Sequence, residues 1–181
     1  GFGVAGLARG DRGDLAVATE GGHAAFAPSD EVEYAAWKRL KSRHGRVSIE
    51  RVLSGQGLFD LYETLAEMKG EPAGLADQKA VSEAANAGDP LASETLDRFC
   101  GILGSVAGDL ALSFGARGGV FISGGIAPRM AEWLAQGSFR ARFEDKGRLK
   151  PYVAAIPTSL VLHPYPAIIG AARELEVLER L

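Results

Sequence analysis

A carboxylate and an imidazole stand three residues apart across two glycines in Glu20-Gly21-Gly22-His23. Glycine lets a backbone turn tightly and come close to a ligand. A carboxylate accepts hydrogen bonds from two hydroxyls, and an imidazole donates or accepts. Together they suit a molecule with vicinal hydroxyls, such as a sugar. The tetrapeptide alone is also compatible with a solvated turn carrying an incidental histidine. Glu50 follows Ser48 at the start of a short helix. An acid there is either a plain response to the helix dipole or a second carboxylate for the same polyol. Gly124-Gly125 follows an apolar run and precedes a helix. That order suits a nucleotide close to a helix N-terminus, or a structural tight turn. It is not G-x-G-x-x-G, so a dinucleotide fold is poorly supported. Gly1-Phe2-Gly3 fits the tail of a glycine-rich phosphate loop, or a strand of small residues.

The other chemistry-bearing residues read as bland. His44 closes a helix, where a partly protonated imidazole is favoured. His163 lies in a proline-rich loop, and Lys146, Arg148 and Lys150 read as a solvated face. Cys100 is the sole cysteine and sits on an apolar helix face. A lone cysteine excludes an intramolecular disulfide and a cysteine zinc cluster, and it is compatible with a reducing cytosol.

The chain has 181 residues, 46% hydrophobic and 24% charged, with a formal net charge of −3. That is ordinary for a globular chain with a sizeable core. No Lys/Arg stripe suggests nucleic acid. No apolar run approaches a membrane span, and no signal peptide is visible. The chain opens directly into the apolar run Gly1 to Ala8 without a Met, so further residues are expected upstream of Gly1.

The elements that must position these groups follow from local signals. Gly3–Ala8 and Leu15–Thr19 are apolar runs about the polar turn Arg9 to Asp14, which predicts a β-hairpin. Asp30 with Glu33 predicts a capped helix over 31–44 that buries Tyr34, Trp37 and Leu40 and stops at Gly45. Ser48 caps a short helix through Leu53, and Gly55–Gly57 breaks it. Leu58–Lys69 forms the next helix, and Asp77 caps a small one ending near Gly88. Asp89-Pro90 starts the longest helix. Leu96, Phe99, Cys100, Leu103, Val106, Ala107, Leu110 and Phe114 give it one apolar face. Gly101, Gly104 and Gly108 interrupt that helix, and each costs about 1 kcal/mol against Ala. Close packing against a sheet or helix is the expected offset.

Gly118–Ser123 predicts a buried strand, followed by a helix with Pro128 near its start and Trp133 and Leu134 along it. Residues 137–153 predict short helical turns. Thr158–Leu162 predicts another strand, and Ala167 onwards a last helix. The order gives an α/β fold with a mixed sheet flanked by helices, antiparallel at its opening and parallel at its end. Ligands bind such sheets at the carboxyl ends of their strands. Both glycine loops follow predicted strands, so both are expected to face one crevice.

Five segments, in order and spacing, resemble the bacterial glucokinase family. They are Gly-Phe-Gly-Val-Ala, Glu-Gly-Gly-His-x-x-Phe-Ala-Pro, Ser-x-Glu-Arg-Val-Leu-Ser-Gly-x-Gly-Leu, Gly-Gly-Val-Phe-Ile-Ser-Gly-Gly-Ile-Ala-Pro-Arg and Phe-x-x-Lys-Gly-Arg-Leu. The resemblance runs from Gly1 to about Ala172. It implies the actin-like ATPase (ribonuclease H-like) fold, with residues 1–181 as most of the large C-terminal domain. It implies ATP-dependent phosphorylation of glucose at its 6-hydroxyl, with Mg²⁺, in a cytoplasmic homodimer. It places glucose hydroxyls on Glu20, His23 and Glu50, the adenosine of ATP against Gly124 and Gly125, and its phosphates near Gly1 and Gly3.

The same resemblance puts the catalytic base, an Asp beside a sugar-binding Asn, in a small N-terminal domain upstream of Gly1. No Asp here matches it, so no catalytic residue and no metal ligand is assigned. The zinc-dependent branch of related kinases and repressors places a cysteine cluster after the equivalent His, and that cluster is missing. Three alternatives are a sugar- or nucleotide-binding piece without turnover, a same-fold kinase for another hexose or phosphoryl donor, and a sugar-responsive regulator.

Overall fold

The computed structural model describes residues 1–10 and 13–178, with side chains as far as residue 175. It opens with an antiparallel hairpin of β1 (Val4–Gly10) and β2 (Gly13–Thr19), in register from Val4↔Thr19 to Gly10↔Gly13. Asp11 and Arg12, at the tip of the expected turn, lie outside the described residues. A 3-10 turn (Gly21–His23) leads through an extended loop to α1 (Glu31–His44). Helices α2 (Ile49–Val52), α3 (Gly55–Lys69), α4 (Gln78–Asn86) and α5 (Pro90–Phe114) follow.

The helix ends are set within a few residues of sequence. Asp30 accepts from the Glu33 N–H, Ser48 from Arg51, Ser54 from Gly57, Asp77 from Lys79 and Ala80, and Asp89 from Ala92. Each side chain satisfies amides that have no partner inside the helix. Gly45, Gly70 and Gly115 close α1, α3 and α5 with positive φ angles, where a Cβ would be strained. The short helix ends as expected, but the break falls at Leu53 and Ser54 and not at Gly55–Gly57. Ser54 caps α3 there, so the glycines form its first turn.

Helix α5 is the centre of the core. Leu96, Cys100 and Ile102 are buried in it, with α3, α4 and α7 (Phe139–Glu144) packed around. Its glycines meet α7, as the expected offset requires. A Cβ on Gly104 would overlap the Phe139 carbonyl, and one on Gly108 would meet the Phe143 carbonyl and Lys146. Phe114, expected in the apolar face, is 41% exposed and lies against Gly6 of the hairpin instead. Leu40 of α1 is buried and Trp37 partly so, but Tyr34 is exposed. Its ring stacks on Trp37 under the Lys38 ammonium, so the inner face of α1 is Glu33, Ala36 and Leu40.

β3 (Val120–Ile122) pairs in parallel with β4 (Thr158–Leu160). The crossover runs through a 3-10 turn (Ala127–Met130), α6 (Ala131–Gln136), α7 and α8 (Lys150–Ala154). Val120, Ile122 and Leu160 pack on the core, while Phe121 on the other face is 69% exposed. The strand is therefore covered on one side only, not buried. The antiparallel and parallel pairings of the expected mixed sheet both occur, in two separate two-stranded sheets among the described residues. Lys146 is not a solvated residue: its ammonium lies 2.9 Å from Asp109 and donates to the Ser105 carbonyl of α5. The last described element is α9 (Pro166–Leu178).

Candidate functional site

The end of β2 sets the first loop. Thr19 donates its hydroxyl to the Val4 carbonyl at 2.8 Å and accepts the Gly21 N–H at 3.1 Å. This folds the Glu20–His23 turn back on the start of β1. Both glycines are needed for that approach. A Cβ on Gly22 would overlap the Phe2 carbonyl, and one on Gly21 would press on the Val4 side chain. The close approach is therefore to the protein's own chain, where the residues alone suggested a ligand.

The loop then pairs with the segment before α2. Ile49 N–H donates to Ala24 at 2.9 Å and Phe26 N–H to Val47 at 3.1 Å. Arg46 adds a hydrogen bond to the His23 carbonyl at 2.8 Å. This short antiparallel bridge brings the first turn of α2, and so Glu50, alongside the turn. Glu50 accepts the Phe2 N–H on Oε2 at 2.8 Å. That bond holds its carboxyl below the ordinary glutamate range, helped by the nearby His23.

Four of the expected positions thus converge: Glu20, His23, Glu50 and Gly1. Gly3 lies beside them at the start of β1. Glu20 and His23 are largely exposed, with 3.9 Å between carboxylate and imidazole. The patch presents two carboxylates and an imidazole to solvent on a main chain fixed from three sides. That is a set of acceptors and one donor-acceptor carried on a fixed main chain, the chemistry that polyol recognition draws on. Thr19, Arg46 and the Phe2 amide escaped the sequence reading. Thr19 had a signal, a hydroxyl residue at a strand end beside a glycine turn. The other two act across distances with no local pattern.

Gly124 and Gly125 lie on the loop leaving β3 of the second sheet. Gly124 has φ +127°, and a Cβ on either glycine would meet nothing within 4 Å. The open backbone fits the approach of a flat or phosphorylated ligand. A cavity of about 320 Å³ lies next to this loop, lined by Ile122, Ala131, Leu134, Phe139, Arg140 and Thr158 among others. The helix expected straight after the pair begins as a 3-10 turn containing Pro128. Among the described residues no three His, Cys, Asp or Glu side chains group to hold a metal ion, so no ligand for Mg²⁺ is assigned. No helix among them is long and apolar enough to cross a membrane.

Comparison with known proteins matches a glucokinase family model over residues 1–177. A glucokinase of Caulobacter sp. (strain K31) is 54% identical over 172 residues, which cover 95% of this chain and 52% of that protein. A glucokinase of Neisseria meningitidis serogroup C (strain FAM18) is 48% identical over 177 residues, 97% of this chain and 54% of that protein. The chain spans about half the length of the curated relatives it matches. Among solved structures, a glucokinase from an Antarctic psychrotroph superposes with a TM-score of 0.87 at 40% identity, over 95% of this chain and 54% of that one. A Balamuthia mandrillaris glucokinase in complex with glucose gives 0.75 at 20% identity, over 86% and 46%, a likeness of fold.

Proposed function

Because the chain belongs to the glucokinase family, with the family's actin-like ATPase fold, we propose that it serves ATP-dependent phosphorylation of glucose to glucose 6-phosphate. The observation that carries this is the convergence of Glu20, His23 and Glu50 on one exposed patch. In this reading the two carboxylates accept glucose hydroxyls and His23 completes the set. Gly1 and Gly3 lie near the ATP phosphates, and Gly124 and Gly125 against its adenosine. The open backbone at Gly3, Gly124 and Gly125 is compatible with that placement.

Phosphoryl transfer needs positioning, charge neutralisation and a base beside the attacking hydroxyl. Residues 1–181 are proposed as the large domain, which positions sugar and nucleotide. The base is proposed to come from the part of the protein that this chain does not match. Mg²⁺ would supply charge neutralisation with the nucleotide phosphates. A homodimer and a cytoplasmic location belong to the same proposal.

Steady-state kinetics of the full-length protein test the sugar site. Glu50→Ala removes a charged acceptor of the sugar hydroxyls in this reading, and a charged hydrogen bond is stronger than a neutral one. The glucose KM should therefore rise roughly 10- to 100-fold. An unchanged glucose KM would remove Glu50 from the site.

A further inference from the structure

Phe2 touches both halves of the sugar patch. Its carbonyl lies where a side chain on Gly22 would be, and its N–H donates to Glu50 Oε2 at 2.8 Å. Its ring packs on the core. A Cβ on Gly1 would come within 2.7 Å of the same Glu50 oxygen. The segment Gly1-Phe2-Gly3 thus has a glycine on each side of one amide, and glycine has the widest backbone freedom. The single carboxylate bond is a large part of what fixes that amide. Glu50 in turn has one oxygen committed to Phe2 and one left for a ligand.

We propose that Phe2 is a positioning residue whose backbone joins the glycine segment to Glu50, so that sugar at Glu50 and nucleotide phosphate at the segment tighten each other's binding, a step that rests on the site assigned above. The coupling follows from order. A hydroxyl on the free oxygen fixes the plane of the Glu50 carboxylate, and this fixes the Phe2 N–H. A phosphate arriving at the segment then meets a backbone already ordered, and loses less conformational freedom. The effect is reciprocal: ATP must tighten glucose by the same factor.

The test uses the full-length protein and a non-hydrolysable ATP analogue. Its Kd is measured without glucose and with saturating glucose. In the wild type, glucose should tighten the analogue by about 5-fold or more. Glu20→Ala should weaken glucose but keep that factor once glucose is saturating. Glu50→Ala should bring it to about 1. Exchange of the Phe2 amide gives a second readout: glucose should slow it in the wild type and leave it unchanged in Glu50→Ala. An analogue Kd indifferent to glucose in the wild type overturns the coupling. So does a Glu50→Ala variant that keeps the wild-type factor, or a Phe2 exchange rate insensitive to glucose. Glucose affinity unmoved by both Glu20→Ala and Glu50→Ala overturns the sugar site itself, and the coupling with it.

Discussion

Glu50 meets the Phe2 N–H through an ionised carboxylate, and that bond favours the charged form. Its folded pKa lies below the ordinary value, so the contribution is fully present above the unfolded pKa and fades as pH falls through the folded one. A ¹³C carboxyl titration, assigned with Glu50→Gln, should place the Glu50 midpoint below the ordinary value of about 4.3. A midpoint at or above that value would mean the Phe2 bond is not made in solution. Cys100 behaves oppositely. Burial pushes its thiol up to about 12, which fits its reading as a core residue without reactivity. At this scale the sequence made Glu20, His23 and Glu50 legible because each belongs to a short motif. It hid Phe2 and Arg46, because a backbone amide has no signature and Arg46 reaches the His23 carbonyl across 23 positions.

Helices α5 and α7 show what a glycine in mid-helix is for. Gly104 faces a backbone carbonyl of α7, which cannot move aside without shifting the helix. A Cβ on Gly101 would stand 3.3 Å from Ser138 Cβ and 3.4 Å from Arg142 Cγ, a tight contact that a shift of a few tenths of an ångström relieves. Ala gains about 1 kcal/mol of helix propensity at either position. Overpacking costs about 1–3 kcal/mol, and falls fully on Gly104. Gly104→Ala should therefore lower the denaturation midpoint, and Gly101→Ala should leave it level or raise it. Equal effects would mean that α7 does not approach α5 at these points. Beside this contact, Arg142 of α7 reaches the buried Glu33 of α1 at 2.7 Å and Ser105 of α5 at 2.9 Å. Glu33 also accepts the Ser29 N–H at 2.8 Å, so the loop that carries Glu20 and His23 is tied at its far end to the central helix. Element ends were readable because capping chemistry spans three or four residues. The separation of the strands into two sheets was not, because periodicity names a strand and not its neighbour. The same limit made β3 look buried: its apolar run is continuous, yet only alternate residues pack on the core.

For the molecule as a whole, several large apolar side chains are open to solvent. Leu7 and Leu15 are exposed on the hairpin, Phe121 on the second sheet, and Leu162 and Tyr165 on the loop before α9. Every residue from Ala167 to Leu175 is exposed, Ile168, Ile169 and Leu175 included. A 13-residue helix without tertiary cover is marginal in water, and contiguous apolar surface of this kind marks an interaction face. The chain spans about half the length of its curated relatives. On the proposed domain assignment, the cover is expected from the part of a glucokinase that this chain does not span. The purified 181-residue chain should bind a hydrophobic dye such as ANS and associate as its concentration rises in sedimentation velocity. Its α9 amides should exchange nearly as fast as those of an unfolded peptide. In the full-length protein the dye signal should fall and the α9 amides should be protected. A monomeric 181-residue chain with no dye signal and a protected α9 would show that these faces cover one another within the chain.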